Sequence, residues 1–547
     1  SGKYFGTDLS DVYSALVFTM PRIFGRRQII IVKEKDMVKD YSGLQNGSDI
    51  RGVALSGEKP VTLGTEEAVN LSAAFGKWLA GKSQKPAGKL KVSVGHDSRL
   101  TAESLKEAVC RGLSALGITV LDCGLAYTPA MFMSTVFEEY SCDGAVMITA
   151  SHLPKDRNGF KYFSREGGLD KEDIAEIIKT AEKIEPEEIA SQERAVRDIS
   201  KEPVQAVTVK APLMTTYCEY LKKKIIEEVG REKPLAELKI VVDAGNGAGG
   251  FYATDILQPL GADIKGSQFL EPDGNFPNHQ PNPENPEAMA SVCRAVKENR
   301  ADFGLIFDTD VDRSSAVSAE GKEINRNAIV AMAAALIAAE HPGTTVVTDS
   351  ITSDQLTDYL EKCLGLKHLR FKRGYKNVIN KAKELNEEGI DSQLAIETSG
   401  HAAYKENYFL DDGAYLATKI VIKAAQLKKS GESLGAVLTS LEEPKESMEK
   451  RFSIERKDFQ EYGQRVLSEL EQWVEDKGAG FGASLVKPNY EGVRINFDNE
   501  KVKGWCLLRK SLHDPKLPLN IEVTRGSCED ILKIISEFMD EFKKAWQ

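Results

Sequence analysis

Three short polar runs in this chain set reactive side chains beside groups able to bind a cation or an anion. Ser151 and His152 end the run Ile148-Thr149-Ala150-Ser151-His152, and three carboxylates alternate in Asp308-Thr309-Asp310-Val311-Asp312-Arg313. In Glu397-Thr398-Ser399-Gly400-His401 an acid, a hydroxyl and an imidazole alternate. Alternation along an extended backbone lets Asp308, Asp310 and Asp312 converge on one hard cation with an outside oxygen completing the set, and Mg²⁺ fits such ligands. A Ca²⁺ loop would continue to a glycine and a distal Glu, where this chain has Arg313 and Ser314. A haloacid-dehalogenase phosphatase, whose nucleophilic Asp also follows a strand, and a solvated acidic turn are the competing readings.

The surroundings of Ser151 differ from the G-x-S-x-G nucleophile elbow, which disfavours a serine hydrolase. A strand-end serine alone is more often a helix cap than a nucleophile. Asn158-Gly159-Phe160-Lys161 tips the reading towards chemistry by supplying a turn and a cation near the same strand end. A phosphate on Ser151 would give the metal the oxygen that three aspartates lack, and the metal would polarise the phosphoryl group for transfer. Glu397, Ser399 and His401 suit the gripping of sugar hydroxyls, with Gly400 allowing close backbone approach, and His401 also suits acid or base work.

Further candidate cations are Arg51 in Ser48-Asp49-Ile50-Arg51-Gly52, Arg99 in Gly95-His96-Asp97-Ser98-Arg99, and Lys376 in Arg373-Gly374-Tyr375-Lys376. The plain alternative for each is solvated surface charge. Arg509-Lys510-Ser511-Leu512-His513-Asp514-Pro515-Lys516 combines a guanidinium, a hydroxyl and amides, as a phosphate clamp or as an ordinary basic hairpin loop. The glycines from Gly245 to Gly250 fail the dinucleotide spacing and read as a tight strand-to-helix turn.

The elements that must carry these loops are legible around them. Ala145-Val146-Met147-Ile148, Phe303-Gly304-Leu305-Ile306-Phe307 and Gln393-Leu394-Ala395-Ile396 have the length and composition of buried parallel strands. Each polar loop is therefore expected at a strand's carboxyl end, where open α/β sheets place their ligands. One layout recurs three times: Lys91-Val92-Ser93-Val94, a helix from Glu103 to Ala115, then Ser151; Ile240-Val241-Val242, a helix from Tyr252 to Leu260, then Asp308; Val346-Val347-Thr348, a helix from Asp354 to Leu364, then Glu397. The expectation is three related α/β domains with mixed sheets at 44–203, 204–323 and 324–446, after an N-terminal extension, 1–43. The remainder, 447–547, has strands between helices and reads as an α+β domain.

At 547 residues the chain exceeds what one core supports. Its 41% hydrophobic and 28% charged residues fit a soluble globular protein, and the net charge of -11 argues against nucleic acid or anionic membrane as the main partner. An anionic sugar phosphate would need locally placed cations. Eight scattered cysteines without a Cys-x-x-Cys pair suit a reducing compartment. Pro21, Arg22, Arg26 and Arg27 break the apolar stretch near the start, so no transmembrane helix is expected. The chain opens on Ser1 rather than Met, as a processed or trimmed form would.

These motifs resemble those of the α-D-phosphohexomutases, which include phosphoglucomutase, phosphomannomutase and phosphoglucosamine mutase. From about Leu44 to the C-terminus they occur in that family's order: Ser-Asp-Ile-Arg-Gly, Thr149-Ala150-Ser151-His152 with Asn158-Gly159-Phe160-Lys161, Asp308 to Arg313, and Glu397 to His401. The resemblance implies four domains around a central cleft, Ser151 as the phosphoserine and, with Asp308, Asp310 and Asp312, a Mg²⁺ ligand. It implies Arg51, Lys161 and Arg313 as charge-neutralising or proton-shuttling groups beside Ser151, and Glu397 and Ser399 as holders of sugar hydroxyls. Phosphate would pass reversibly between sugar O1 and O6, with glucose 1,6-bisphosphate as intermediate and activator. Two features depart from the pattern: the extension 1–43, and Arg509 to Pro515, where the family usually reads like R-P-S-G-T-E-P. Arg509 and Ser511 survive, but the Gly-Thr pair is lost. This loop and Arg-Asn-Gly-Phe-Lys-Tyr-Phe look similar to plastid members, so the expected location is cytoplasm or plastid stroma, as monomer or dimer. The leading expectation is a mutase of glucose phosphates. Mannose or glucosamine specificity, a hexose bisphosphate synthase and a catalytically silent sugar-phosphate binder are the alternatives.

Overall fold

A strand paired in parallel on one side and antiparallel on the other must turn back at its carboxyl end, and all three polar loops are such turns. In the computed structural model of the chain, Gly144–Ile148 runs parallel to Lys91–His96 and antiparallel to Arg157–Ser164. Phe303–Phe307 lies likewise between Ile240–Asp243 and Ser314–Ser318, and Leu394–Ile396 between Thr345–Thr348 and Ala402–Tyr404. The expected parallel strands are thus the boundary strands of mixed sheets. The structure describes residues 39–200, 208–511 and 515–545, with the paired dipeptides Val17–Phe18 and Ile30–Ile31.

The helix Ala102–Ala115 forms as expected. The helix expected from Tyr252 to Leu260 is instead one wide turn, Tyr252–Leu257, and the crossover to the next strand is made by Pro286–Asn299. Asn285 starts that helix by accepting from the Glu287 and Ala288 amides, and proline at the first helical position is preorganised for it. In the third copy Asp354–Asp358 runs into a wide turn, Tyr359–Cys363, and Tyr375–Glu387 is the longer helix. Two strand pairings reach across the expected domain limits. Thr208–Lys210 still pairs with Thr119–Leu125 of the first sheet, beyond the expected start at 204. Glu323–Ile324 pairs with Ser314–Ser318, so the break expected after 323 falls inside a strand, because the chain turns at Gly321 and completes a hairpin first. The break expected near Glu202-Pro203 and most of the extension 1–43 lie outside the described residues.

One apolar core runs through the first three sheets, joining Met147, Phe307 and Ile396 on the motif strands with Tyr127, Tyr252 and Tyr415 between them. The helix Gly413–Lys429 packs its first three turns through this core, buried on nearly all sides, and leaves its lysine-rich last turn outside it. The C-terminal piece has its own core, including Val466, Leu470, Ile495, Ile521 and Phe538, beneath an antiparallel sheet ordered Glu446–Ser453, Lys516–Arg525, Lys503–Leu508, Val493–Asp498, Ala483–Leu485. It meets the third sheet through polar contacts. Arg494 is buried there, donates to the Ser350 and Thr352 carbonyls at 3.1 and 3.2 Å, and stacks 3.7 Å over Trp505. Among the described residues no helix is long and apolar enough to cross a membrane, and all eight cysteines are unpaired.

The start of Gly413–Lys429 abuts the acidic loop: a Cβ on Gly413 would lie 2.6 Å from the Arg313 carbonyl carbon. Gly413→Ala is expected to cost about 1–3 kcal/mol of stability through overpacking and to lower turnover by shifting Arg313. Thermal denaturation together with kcat checks this, and an unchanged midpoint with unchanged kcat would show that the helix start can yield.

Candidate active site

Ser151 sits in the left-handed region at φ 49°, an uncommon place for serine that needs outside support. Its amide donates to Thr149 Oγ1 at 2.9 Å, and that hydroxyl donates to the buried Asp97 at 2.6 Å. Arg99, expected to bind substrate, is committed elsewhere. Its buried guanidinium donates to the carbonyls of Ser151, Leu153, Pro154 and Arg157 at 2.5–2.9 Å, so it braces the loop from behind. Arg51, from the strand Asp49–Val53, donates to the Thr149 carbonyl and to Asp49 Oδ2 at 2.9 Å.

Three groups surround the Ser151 hydroxyl. Asp308 Oδ2 lies at 3.1 Å, His152 Nδ1 at 3.2 Å and Arg313 Nη2 at 3.3 Å. Burial, with Arg313 and His401 nearby, pushes the His152 ring down to about 2, so it stays neutral and can accept a hydrogen bond.

Asp308, Asp310 and Asp312 bring carboxylate oxygens within 4.8 Å of one another in full burial. Val311 between them holds φ 60°, a costly conformation for a β-branched residue, which points the flanking carboxylates inward. Thr128 donates to Asp310 from both its hydroxyl and its amide. Lys161 reaches across from the first sheet to Asp312 and, at 3.2 Å, to Asp310. Arg313 Nε lies 3.1 Å from Asp308. Burial and the charge of Asp312 still hold the Asp308 carboxyl well above its usual range. One oxygen each of Asp310 and Asp312 is buried without a hydrogen-bond partner. Buried, orphaned carboxylate oxygens converging at this spacing fit a hard divalent cation.

The third loop presses against the second. Gly400 holds φ +94°, and a Cβ there would lie 2.6 Å from the Ser314 carbonyl oxygen, so only glycine allows this approach. His401 pairs through Nδ1 with Asp411 and stacks on Tyr375 at 5.4 Å. Burial opposes its charge, but Asp411 and Asp312 outweigh it and raise the imidazolium to about 9. Glu397 accepts from the Gly374 amide at 2.7 Å, and burial beside Asp349 raises it to about 7. Ser399 Oγ is buried and without a partner.

Lys376 does not join these groups: its ammonium is taken by the Gly168 carbonyl at 2.7 Å and by Asp170 at 3.2 Å. Its neighbour Arg373 stands beside Glu397 instead, 3.7 Å from Asp349. Position in the run Arg373-Gly374-Tyr375-Lys376 cannot show which of its two cations faces the cleft. Arg509 is buried, its Nε has no hydrogen-bond partner among the described residues, and it lies within electrostatic reach of Arg373 and Glu491. The Ser511 amide closes the loop base onto the Lys516 carbonyl at 3.0 Å, and residues 512–514 lie outside the described residues. Thr128, Asp97 and Asp411 carried no spacing signal, nor did Arg326, a cleft residue at φ 51° alongside Glu284, Arg373 and Thr398.

A buried serine facing an acidic triad, on three related mixed sheets joined by one core, defines the class: an α/β phosphoryl-transfer enzyme. Residues 43–188, 215–321 and 325–443 match the alpha/beta/alpha domains I, II and III of phosphoglucomutase/phosphomannomutase. A phosphomannomutase/phosphoglucomutase of Pseudomonas putida is 30% identical over 475 residues, 87% of this chain and 90% of that protein. Its counterpart from Pseudomonas aeruginosa PAO1 is 30% identical over 90% of this chain and 94% of its own. A crystal structure of a phosphoglucomutase/phosphomannomutase family protein from Burkholderia thailandensis, 26% identical, covers 93% of this chain and 97% of its own with a TM-score of 0.67. The chain belongs to the phosphoglucomutase/phosphomannomutase family, the α-D-phosphohexomutases, and is an intramolecular phosphotransferase of that class.

Because Arg99 touches loop carbonyls rather than the cleft, Arg99→Met is expected to lower kcat on the order of 10²-fold by displacing Ser151, while KM moves less than roughly threefold. Steady-state kinetics decide this; a rise in KM with kcat retained would return Arg99 to substrate binding.

Proposed function

We propose that this enzyme interconverts hexose 1-phosphate and hexose 6-phosphate, with glucose as the preferred sugar, through a phosphoserine at Ser151 and a hexose 1,6-bisphosphate. The observation that carries the reading is the Ser151 hydroxyl, 3.1–3.3 Å from Asp308, His152 and Arg313, in front of carboxylates with orphaned oxygens. Asp308, Asp310, Asp312 and the Ser151 phosphate would hold Mg²⁺, which when bound draws charge from the phosphoryl oxygens.

This chain's own groups do the rest. The Ser151 Oγ–P bond breaks as a sugar hydroxyl oxygen bonds to phosphorus, and Arg313 and Arg51 stabilise the charge spreading over the phosphoryl oxygens. When the bisphosphate returns phosphate to the serine, the leaving hydroxyl proton has two acceptors in place, Asp308 Oδ2 and His152 Nδ1. Lys161, against Asp310 and Asp312, keeps the acidic loop neutralised. His401, held through Nδ1 on Asp411, takes the attacking sugar hydroxyl's proton at Nε2 from its neutral form, becomes the imidazolium that Asp411 stabilises, and returns that proton in the reverse step. Glu397 and the unpartnered Ser399 hydroxyl take sugar hydroxyls, and the Gly400 turn sets their height above Arg313. Arg373 and Arg509 receive the phosphate that is not being transferred. Thr398, whose hydroxyl is fixed on Asp349 at 2.8 Å, shapes the sugar subsite.

The test is conversion of glucose 1-phosphate to glucose 6-phosphate with Mg²⁺, with and without catalytic glucose 1,6-bisphosphate, alongside mannose and glucosamine 1-phosphates. Fast turnover best on glucose is expected. Release of the bisphosphate as the main product would favour a bisphosphate synthase, and no turnover from phosphorylated protein would favour a silent binder. Ser151→Ala should abolish both turnover and covalent phosphate while leaving the fold intact; comparable turnover would sink the phosphoserine reading. Asp310→Ala should lose the Mg²⁺ response more than stability, since removing one of three crowded carboxylates relieves repulsion. Mg²⁺ titration by calorimetry, paired with thermal denaturation, reads both.

A further inference from the structure

A strap between Phe276 and the helix cap Asn285 reaches two loops of the transfer site. Gln280 donates from its side-chain amide to the His152 carbonyl, next to Ser151 on the first sheet. Asn282 Oδ1 accepts from Arg313 Nη1 at 3.3 Å, and Glu284 lies 3.8 Å from the same nitrogen on the second sheet. Neighbouring strap residues thus hold the serine loop and the arginine beside it, although the two loops come from different sheets.

His279 anchors the strap from beneath. It is only 6% exposed, its Nε2 lies 3.0 and 3.1 Å from the two oxygens of Asp243, and its Nδ1 lies 3.1 Å from the Gln280 carbonyl oxygen. Both ring nitrogens face acceptors only, and a neutral imidazole has a single N–H, so full pairing needs the imidazolium. Burial opposes that charge, but the Asp243 carboxylate outweighs it and raises the pKa; Glu287 adds to the same side. Asp243 is fully buried at the end of Ile240–Asp243 and is itself fixed by the Gly245 amide at 2.9 Å and by Gln268 at 2.6 Å. The strap is also tied by Asn278 to Asn246 at 2.8 Å and seated by Pro281 against Gly245. A buried ion pair therefore transmits the position of a sheet strand to the peptide of His152 and the guanidinium of Arg313.

We propose that His279, locked as an imidazolium on Asp243, is a positioning residue for phosphoryl transfer, acting through Gln280 and Asn282 to set the Ser151–His152 and Arg313 geometry. The proposal rests on Ser151 being the phosphoryl carrier.

The experiment compares wild type, His279→Gln, Gln280→Ala, Asn282→Ala and the triple variant. It measures labelled phosphate transfer from glucose 1,6-bisphosphate to Ser151 of the dephosphorylated enzyme, with kcat, KM and the thermal midpoint. Gln280 is exposed and its truncation leaves the buried pair intact, so that variant keeps the test valid if His279→Gln folds poorly. Expected are a fall in transfer rate and kcat on the order of 10–10²-fold for His279→Gln, a part of that fall for Gln280→Ala and Asn282→Ala without loss of thermal midpoint, and KM within roughly threefold. The triple variant should lose less than the product of the single losses, as for residues acting along one route. If wild type labels Ser151 and both Gln280→Ala and His279→Gln label it at the wild-type rate per folded enzyme, the strap proposal is overturned and the phosphoserine reading stands. If wild type takes up no label on Ser151, the phosphoserine reading fails and the strap proposal with it.

Discussion

Three carboxylates within 4.8 Å of one another, removed from water, repel too strongly to coexist without cations, and the rest of the site answers that constraint. Lys161 comes from the first sheet and Arg313 from the acidic loop itself, and one oxygen each of Asp310 and Asp312 still lacks a hydrogen-bond partner. The charges converge because three boundary strands end at one place. Their loops pack loop against loop, with Gly400 and Gly413 giving the clearance that a β-carbon would remove. The shared apolar core beneath holds those strand ends in register, so that packing energy maintains an electrostatic arrangement that would otherwise spread apart.

The cations divide into those that build and those that face the cleft. Arg99 and Arg494 spend their guanidinium donors on backbone carbonyls, where a buried planar fork with five donors satisfies several acceptors at once. Lys376 ties the third sheet to the first through Gly168 and Asp170. Arg313 does both jobs, holding Asp308 while pointing at the serine. Arg373 stands beside Asp349 and Glu397, and Arg509 lies within reach of Arg373 and Glu491. The fourth piece, with a separate core and a polar seam through Arg494 and Glu491, carries Arg509 to this position without merging into the common core.

The sequence by itself determined the three motif strands, the loops at their ends, the three converging carboxylates as a set, and the family, because these signals are local: an apolar run sets a strand, and alternation along it sets which side chains converge. It also gave the α+β character of the C-terminal piece. It did not determine the crossover of the second copy, where 252–260 has helical spacing yet makes one wide turn, nor the sheet edges, where Thr208–Lys210 and Glu323–Ile324 pair with strands distant in the chain. Only the tertiary structure decided which cations serve the site. Arg99, Lys376 and Arg373 read alike in one dimension, since a guanidinium's or ammonium's role depends on which acceptors its long side chain meets. Those acceptors are backbone carbonyls and carboxylates that folding brings in from elsewhere in the chain.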